Sequence, residues 1–203
     1  MPKDKTESHE RIMRAARDEF LVKGFQHAST RSIAARAGIT SGGLYRHFKN
    51  KEDMFAALVE PALHELNEWM STHISKGYDG ALSGNYDAMW DDTEIDMVRY
   101  VIYPNIESFR LILCCSQGTR YENFVDDLVN EHQRIMMDVF GKLREKGIPV
   151  KDISPEELHL LMSAYTTAIF ETIIHNYPEE DAMHYLKTIG EFFLPGWHEI
   201  MGC

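Results

Sequence analysis

Apolar side chains recur every three or four residues along most of this chain, which is the period of an α-helix. In the first such segment Ile12, Ala16 and Phe20 are spaced four residues apart, so they share one helix face. A longer stripe of this kind follows residue 50, and the segment from 158 to 174 is apolar on nearly every face. No segment shows the strict alternation that is typical of a half-buried strand. The sequence therefore predicts an all-α protein.

Capping residues and glycines locate the ends of the first four predicted helices. The predicted N-caps are Thr6 or Ser8, Thr30, Thr40 or Ser41, and Asn50, and the predicted stops are Gly24 and Gly38. Within the fourth helix we expect a kink at Pro61, because proline removes one backbone hydrogen bond.

Glycines and capping boxes organise the rest of the chain. Residues 76–85 contain three glycines and are predicted to form a loop, and Pro104 separates two helices over 85–115. Two segments, "TRYE" at 119–122 and "SPEE" at 154–157, match the capping box that opens a helix. We expect the first of these helices to end at Gly147 and a last helix to begin near Pro178.

Composition excludes several classes of protein. The 203 residues are 44% apolar and 26% charged, as in a soluble globular domain, and no run of about 18 apolar residues predicts a membrane span. The first eleven residues are too polar for a secretory signal. Cys114 and Cys115 are adjacent and Cys203 is terminal, so no disulfide framework is expected. A reduced cytoplasmic protein is the simplest interpretation.

Charge is divided unevenly along the chain. Residues 1–53 contain 11 Lys and Arg against 7 Asp and Glu, a balance of +4, whereas residues 54–203 have a balance of −15, which together give the net charge of −11. Such asymmetry favours a polyanionic partner for the basic segment. Two ordinary solvated surfaces are the alternative interpretation.

The basic segment contains three short predicted helices with a turn at residues 38–39, which is a helix-turn-helix arrangement. In the third helix Leu44 and Phe48 point inward, and the outward side chains are Ser41, Tyr45, Arg46 and His47. Free backbone N–H groups in its first turn offer donors to a phosphate. Cations, hydroxyls and N–H groups on one surface are what binding a duplex backbone requires.

Residues 11–58 contain A-x-x-x-F in the first helix, Gly-Phe at 24–25, "TRSIAARAGI" at 30–39 and "LYRHFKNKE" at 44–52. On these motifs the segment resembles the DNA-binding domain of the TetR (tetracycline-repressor-like) family. The remaining three quarters resemble the family only in helix number and length. Membership implies an N-terminal three-helix DNA-binding domain, residues 1–53, followed by a larger helical dimerisation and effector-binding domain, residues 54–203.

The resemblance assigns expected roles to the DNA-binding residues. Tyr45, His47 and Lys51 correspond to phosphate contacts, Ser41 with Gly42 and Gly43 to positions that face bases, and Thr30 with Arg31 to contacts with the backbone or an adjacent base.

The adjacent glycines Gly42 and Gly43 depart from the family pattern, since neither can read a base edge. They also lower helix propensity by roughly 1 kcal/mol each relative to alanine. One interpretation is that they permit close approach of the helix to the duplex, so that Arg31, Thr40 and Arg46 do more of the reading. The alternative is that the operator is read partly by its shape.

The resemblance also implies an effector pocket and a homodimer. The aromatic and soft residues that are candidates for the pocket are Trp69, Tyr103, Phe109, Cys114, Phe124, Met162, Tyr165 and Phe170. Each of them is equally an ordinary core residue. Acids nearby (Asp91, Asp92, Asp96 and Glu107) would favour a cationic effector or would simply be solvated. The two C-terminal helices have more apolar surface than one bundle needs, and we expect them, with Tyr165 and Ile169, at a two-fold interface.

Other functions are less well supported by the residues. The pairs His64 with Glu68 and Glu171 with His175 have metal-ligand spacing, but two ligands do not make a site, and exposed ion pairs explain them. An enzyme would use Cys114 as its nucleophile, without a local signature, and a helical adaptor would ignore DNA. We therefore expect no catalytic residue, metal or cofactor. The expected function is a repressor that binds palindromic double-stranded DNA as a homodimer and responds to a small-molecule effector.

Overall fold

The computed structural model describes residues 2–85 and 93–201, and these residues form helices joined by short turns. The helices are α1 (Pro2–His27), α2 (Thr30–Arg36), α3 (Ser41–Leu44), α4 (Lys51–Leu82), α5 (Thr93–Met97), α6 (Ile106–Cys115), α7 (Phe124–Glu145), α8 (Pro155–Ile174) and α9 (Glu179–Met201). Over these two ranges no residue is in a strand. The predicted fold class, an N-terminal helix-turn-helix followed by a helical domain, is confirmed.

The chain divides into two compact units. The first contains Met1–His64 and Asn105–Glu122, and the second contains Glu65–Pro104 and Asn123–Cys203. The first unit thus adds α6 and the first part of α4, up to His64, to the three N-terminal helices. The predicted boundary between residues 53 and 54 separates a DNA-binding domain from an effector-binding domain by function, and it stays a prediction.

The first unit is built around buried aromatic side chains of α1 and α4. Phe20 and Phe55 are fully buried, and their ring centroids lie 5.3 Å apart in an edge-to-face arrangement. Phe25 contacts both rings, at 5.8 Å and 5.6 Å. Phe25 can reach this cluster because Gly24 has a φ of +70°, a conformation that strains residues with a Cβ. The predicted end of regular helix at Gly24 is confirmed.

The predicted N-caps of α1 and α2 are wrong. The N-cap of α2 is Ser29, whose hydroxyl accepts from Ser32 N–H at 3.4 Å, rather than Thr30. The first helix begins at Pro2, so Thr6 and Ser8 lie inside it. The predicted stop at Gly38, with a φ of +68°, and the predicted cap at Thr40 are confirmed.

The long helix α4 begins as predicted and ends later than predicted. Asn50 Oδ1 accepts from Asp53 N–H at 2.7 Å, which confirms the cap. The helix continues through Pro61 and then through most of the predicted loop, ending at Leu82. Tertiary contacts overcome the low propensity of its glycines, because Ala81 is fully buried and Lys146 Nζ donates to the Leu82 carbonyl at 3.0 Å.

The segment after residue 92 is less regular than predicted. It runs from α5 through a π-helical turn, Val98–Ile102, and a 3-10 turn, Tyr103–Asn105, into α6. The predicted separation near Pro104 is confirmed, since this residue lies in the 3-10 turn. The earlier part of the predicted helix falls in residues 86–92, with Asp91 and Asp92, and lies outside the described residues.

One predicted capping box is wrong and the other is confirmed. Helix α7 begins only at Phe124. In the turn before it, the Thr119 hydroxyl donates to the Ser116 carbonyl at 2.7 Å, and the Glu122 carboxylate accepts from Gly118 N–H at 2.8 Å. At the start of α8 the Ser154 hydroxyl accepts from Glu157 N–H at 3.1 Å, and the Glu157 carboxylate accepts from Ser154 N–H at 2.8 Å, as predicted.

The remaining predicted helix ends agree with the structure. Gly147, with a φ of +77°, follows α7, and α9 begins one residue after Pro178. Within the described ranges, no helix combines the length and the apolar character that crossing a bilayer needs.

Candidate functional site

Helix α3 and the turn that follows it present a polar surface in the first unit. Leu44 is fully buried and Phe48 nearly so, and this burial sets which residues face outward. Six of the ten predicted DNA-binding residues are exposed: Arg31, Thr40, Ser41, Gly42, Tyr45 and Arg46. Thr30, His47 and Lys51 are half-buried, and Gly43 is buried.

Local hydrogen bonds hold this surface in place. Thr40 Oγ1 accepts from Gly43 N–H at 3.0 Å, which fixes the start of α3. The hydroxyls of Thr30 and Tyr45 lie 3.4 Å apart and so join α2 to the residue after α3. The His9 ring lies 5.2 Å from Phe48 and 5.9 Å from His47, at the inner edge of the surface.

The two adjacent glycines have different surroundings. A Cβ on Gly42 would meet no atom within 4 Å, so this position is open to solvent. A Cβ on Gly43 would lie 3.3 Å from Thr40 Oγ1 and 3.7 Å from Arg46 Nη2. Gly43 therefore lies beneath neighbouring side chains, and only Gly42 lies at the exposed surface that was predicted for both.

A buried carboxylate, which no short sequence motif marks, connects α1 to α2. The Glu19 side chain is 3% exposed and accepts from Lys23 Nζ at 2.7 Å and from Ser32 Oγ at 2.9 Å. It also accepts from Ser29 N–H at 3.2 Å, at the N-terminus of α2. The hydrogen bond from Lys23 is the largest cause that lowers the pKa of Glu19 below its usual value, and burial opposes this shift. An ionised Glu19 thus orients α2.

Lys51 has a structural contact that was not predicted. Its Nζ donates to the carbonyl oxygens of Phe25 (2.6 Å), Gln26 (3.1 Å) and Ala28 (3.2 Å), and it lies 4.5 Å from the centre of the Phe25 ring. Burial lowers the pKa of this ammonium. Lys51 therefore stabilises the turn that ends α1, and its predicted phosphate contact stays a prediction.

The second unit contains a mostly apolar cavity of about 160 Å³. Residues of α4, α5, α7, α8 and α9 line it: Trp69, Met70, His73, Ile74, Gly77, Glu94, Met97, Leu128, His132, Ile135, Met136, Met162, Tyr165, Thr166, Ile169, Phe170 and Trp197. Four of the eight predicted pocket residues are among them: Trp69, Met162, Tyr165 and Phe170.

The other four predicted pocket residues lie elsewhere. Phe109 and Cys114 belong to the first unit, where Phe109 is fully buried. The Tyr103 hydroxyl donates to the Tyr177 carbonyl at 2.8 Å. Phe124 lies beside the cavity wall, with its ring 5.8 Å from that of Phe170.

Three polar side chains face the cavity. The sequence predicted Tyr165 as a pocket residue but did not predict Glu94 or His132 there. Tyr165 is 9% exposed, and burial, followed by the charge of Glu94 and a hydrogen bond to it, raises the pKa of the phenol. Burial lowers the pKa of His132, which keeps the imidazole neutral near pH 7, and its buried Nε2 has no hydrogen-bond partner. No short sequence motif marks Glu94 or His132, because they line the same cavity only in the folded protein.

The outer faces of α8 and α9 carry exposed apolar side chains. Leu160 is 68% and Phe192 is 77% exposed, and Leu161, Ile174 and Tyr185 are also exposed. Tyr165 and Ile169, which were expected at a dimer interface, are instead buried in the cavity wall of their own unit. These two side chains therefore pack in the interior of the unit and not on its surface.

Metal and thiol chemistry receive no geometric support. Across residues 2–85 and 93–201, no group of three or more His, Cys, Asp or Glu side chains is arranged to hold a metal ion. Glu171 and His175 form an exposed pair with 2.8 Å between Oε2 and Nε2. Burial raises the pKa of Cys114 and Cys115, so neither thiol is activated as a nucleophile.

Comparisons with known proteins agree with this arrangement. Residues 12–58 match the sequence profile of bacterial regulatory proteins of the tetR family. KstR2 of Mycolicibacterium smegmatis, named an HTH-type transcriptional repressor, is 28% identical over 144 residues, which are 68% of this chain and 65% of KstR2. YdgC of Bacillus subtilis, named an uncharacterized HTH-type transcriptional regulator, is 42% identical over 53 residues, 26% of this chain and 27% of YdgC. The matched regions thus span less than two thirds of either relative.

A solved structure shares the fold. NalD, described as the secondary repressor of the MexAB-OprM multidrug efflux pump in Pseudomonas aeruginosa, aligns with a TM-score of 0.56 at 20% identity, over 92% of this chain and 95% of NalD. The helix-turn-helix in the first unit, the helical second unit and the matched profile define a DNA-binding regulator fold. Over residues 12–58 the chain therefore matches the TetR family.

Proposed function

We propose that this protein is a transcriptional repressor that acts in the cytoplasm, binds operator DNA as a homodimer and responds to a small molecule. The observation that carries the proposal is the surface of α3, where burial of Leu44 and Phe48 turns Ser41, Tyr45 and Arg46 outward. The names of related proteins as repressors or regulators support it.

The DNA contacts that we propose are the exposed and half-buried residues of this surface. Arg31 and Arg46 supply charge, and Thr40 and Ser41 supply hydroxyls, and all four residues are exposed. We assign Thr30, Tyr45, His47 and Lys51 to the phosphates and Gly42 to close approach, with Gly43 buried behind it. Each phosphate contact contributes to a steep decrease of affinity with salt.

The close-approach role of Gly42 has a direct test. Gly42→Ala adds a methyl group to open space, so it should stabilise the fold by about 0.5–1 kcal/mol through helix propensity. The same methyl group should weaken DNA binding if the backbone approaches the duplex. The experiment measures thermal unfolding and fluorescence anisotropy with DNA fragments selected from the genome of the source organism.

The matched control is Ala57→Gly on α4, which changes the same methyl group at a half-buried site away from the α3 surface. It should lower stability and leave DNA affinity unchanged. A Gly42→Ala variant that is more stable and binds DNA as well as wild type would reject close approach and favour readout of DNA shape. Failure of the wild-type protein to retain any duplex at low salt would reject the whole proposal.

We infer that the cavity of the second unit is the effector site and that α4 links it to DNA binding. Helix α4 contributes residues 51–64 to the first unit, and it contributes Trp69 and Met70 to the cavity wall in the second unit. Coupling between two such sites is typically about 1–3 kcal/mol, or roughly 5- to 150-fold in affinity. Linkage requires operator DNA to change effector affinity by the same factor.

The role of α4 is tested by Pro61→Ala, which restores one backbone donor within the helix. Operator affinity is measured with and without a saturating effector in both proteins. We expect the ratio of the two affinities to change in the variant more than either affinity does alone. An identical ratio in wild type and variant would exclude the helix segment around Pro61 from the coupling.

A further inference from the structure

Methionines make up a large part of the cavity wall in the second unit. One lies on each of the helices α4, α5, α7 and α8, and these residues are Met70, Met97, Met136 and Met162. A methionine side chain is flexible and fills irregular gaps, and its sulfur packs favourably against aromatic rings. The wall can therefore adapt to an apolar ligand and favours one that contains a ring.

Aromatic side chains form much of the remaining wall. Trp69, Phe170 and Trp197 contribute rings from α4, α8 and α9. The Trp69 ring is stacked on His73, with centroids 3.8 Å apart and planes 13° from parallel. The Tyr165 and Trp197 rings meet edge to face, with centroids 6.2 Å apart. Aromatic rings pack against one another in these two arrangements, so an aromatic ligand can extend the cluster.

The wall offers no permanent positive charge to an anionic ligand. Among the described residues, no lysine or arginine lines the cavity. Residues 86–92, which lie outside the described ranges, contain no lysine or arginine either. Burial lowers the pKa of His132 and keeps this lining residue neutral near pH 7. A carboxylate or phosphate would therefore lose its water at an apolar wall without a fixed counter-charge to replace it.

Three polar side chains of the wall already have partners within the protein. The Tyr165 phenol is hydrogen-bonded to the Glu94 side chain. His73 Nδ1 lies 2.8 Å from the carbonyl oxygen of Trp69. A neutral apolar ligand leaves these contacts in place, whereas an ion of either sign has to lose its own hydration in the cavity. The wall therefore favours a neutral ligand.

The volume of the cavity limits the ligand to a small molecule. Its roughly 160 Å³ is close to the roughly 150 Å³ of an apolar cavity that accepts benzene. We propose that the cavity binds a neutral monocyclic aromatic compound, of the class of the alkylbenzenes, between its methionines and the ring of Trp69. This assignment rests on the proposed effector site and names the chemical class of its ligand.

The test uses three probes that share one benzene ring and carry substituents of similar size. They are ethylbenzene, which is neutral, benzylamine, which is cationic at pH 7, and the anion benzoate. Binding to the full chain is measured by isothermal titration calorimetry and by quenching of tryptophan fluorescence, since Trp69 and Trp197 line the cavity. We expect ethylbenzene to bind roughly tenfold more tightly than either ion, or better. An ion that binds as tightly as ethylbenzene, or no binding of ethylbenzene, would overturn the proposal.

Two variants of neighbouring methionines on α7 locate the binding site. Met136 and Met137 are both half-buried, but only Met136 is among the lining residues. Met136→Trp fills part of the cavity and should weaken binding of ethylbenzene roughly tenfold or more. Met137→Trp, the matched control, should change it by less than about threefold. Thermal unfolding checks that both variants fold.

A folded Met136→Trp variant that binds ethylbenzene like wild type would reject this cavity as the site. If Met136→Trp does not fold, Met136→Gln replaces it, because glutamine keeps the length of the side chain and adds an amide to the wall. Met136→Gln must then weaken binding of ethylbenzene more than Met137→Gln does, and equal effects of the two would likewise reject the site.

Operator binding is measured separately, so the two proposals fail in different ways. If ethylbenzene binds, Met136→Trp blocks it and operator affinity does not change, the ligand class stands and the effector role of the cavity fails. If an ionic compound changes operator affinity while ethylbenzene does not bind, the effector role stands and the ligand class is wrong.

Discussion

Replacing Lys51 distinguishes its contribution to the stability of the fold from its contribution to DNA binding. The three N–H donors of its ammonium group reach three carbonyl oxygens at the end of α1, at 2.6, 3.1 and 3.2 Å. Lys51→Met keeps much of the aliphatic stem and removes the donors and the charge. A surface lysine that touched only DNA would change stability by less than about 0.5 kcal/mol.

The structure predicts a larger loss. A hydrogen bond that involves a charged group contributes about 1.5–3 kcal/mol when it is well buried. Lys51 is half-buried and its bonds share one ammonium group, so their contributions do not add fully. We expect the free energy of unfolding to fall by about 2–4 kcal/mol. With a slope of about 2 kcal/mol/M, the urea midpoint should fall by roughly 1–2 M.

Urea unfolding followed by circular dichroism measures this effect, and Lys49→Met is the matched control because Lys49 is exposed. A Lys51→Met midpoint equal to that of Lys49→Met would refute the structural role. DNA binding of the folded variant then tests the phosphate contact. Loss of that contact should reduce the slope of log K against log salt by about one unit per protomer. An unchanged slope would remove Lys51 from the phosphate-binding set.

Three further predictions concern the buried acid, the exposed apolar face and the confirmed capping box. Glu19→Gln should cost about 1–3 kcal/mol at pH 7. Because the pKa of Glu19 is lowered, this contribution is present above the usual carboxyl pKa of 4.5 and is lost as pH falls through the lower folded-state pKa, so the free energies of unfolding of the two proteins in urea should converge once the pH is below that pKa. We expect the two-fold interface of α8 and α9 on their exposed apolar faces, so Leu160→Glu and Phe192→Glu should give monomers in sedimentation. Val22→Glu, at a similarly exposed apolar site of the first unit, should leave the dimer intact. Ser154→Ala should destabilise the fold by about 1 kcal/mol, and an unchanged thermal midpoint would mean that the capping box contributes nothing.

Features that depend on a few neighbouring residues could be predicted from the sequence. The caps at Asn50 and Ser154 act over three residues, and both are present in the structure. The inward positions of Leu44 and Phe48 follow from helix geometry, and both side chains are buried. The family profile matches residues 12–58, which include Leu44, Phe48 and Asn50. These features are set by spacing along the chain, so reading them needs no knowledge of tertiary contacts.

Features that depend on distant residues were decided only by the tertiary structure. The glycines before residue 82 predicted a loop, but burial of Ala81 and the bond from Lys146 keep the chain helical. The segment at 119–122 has the letters of a capping box, yet its side chains close a turn before α7. In the first case a local preference of about 1 kcal/mol is outweighed by burial and by a hydrogen bond from a distant residue. In the second case Arg120 N–H donates to Glu52 Oε1 at 3.2 Å, a contact with α4 that the spacing of the segment does not reveal.

The candidate sites divide in the same way. The surface of α3 was predicted residue by residue, because an eight-residue segment forms most of it. The cavity was predicted only through three aromatic residues and Met162, and Glu94 and His132 were missed because residues 38 positions apart line one cavity only in the folded protein. The spacing of apolar residues along the sequence located most of the helices, and the packing of these helices decided where some of them end and which polar side chains face the cavity.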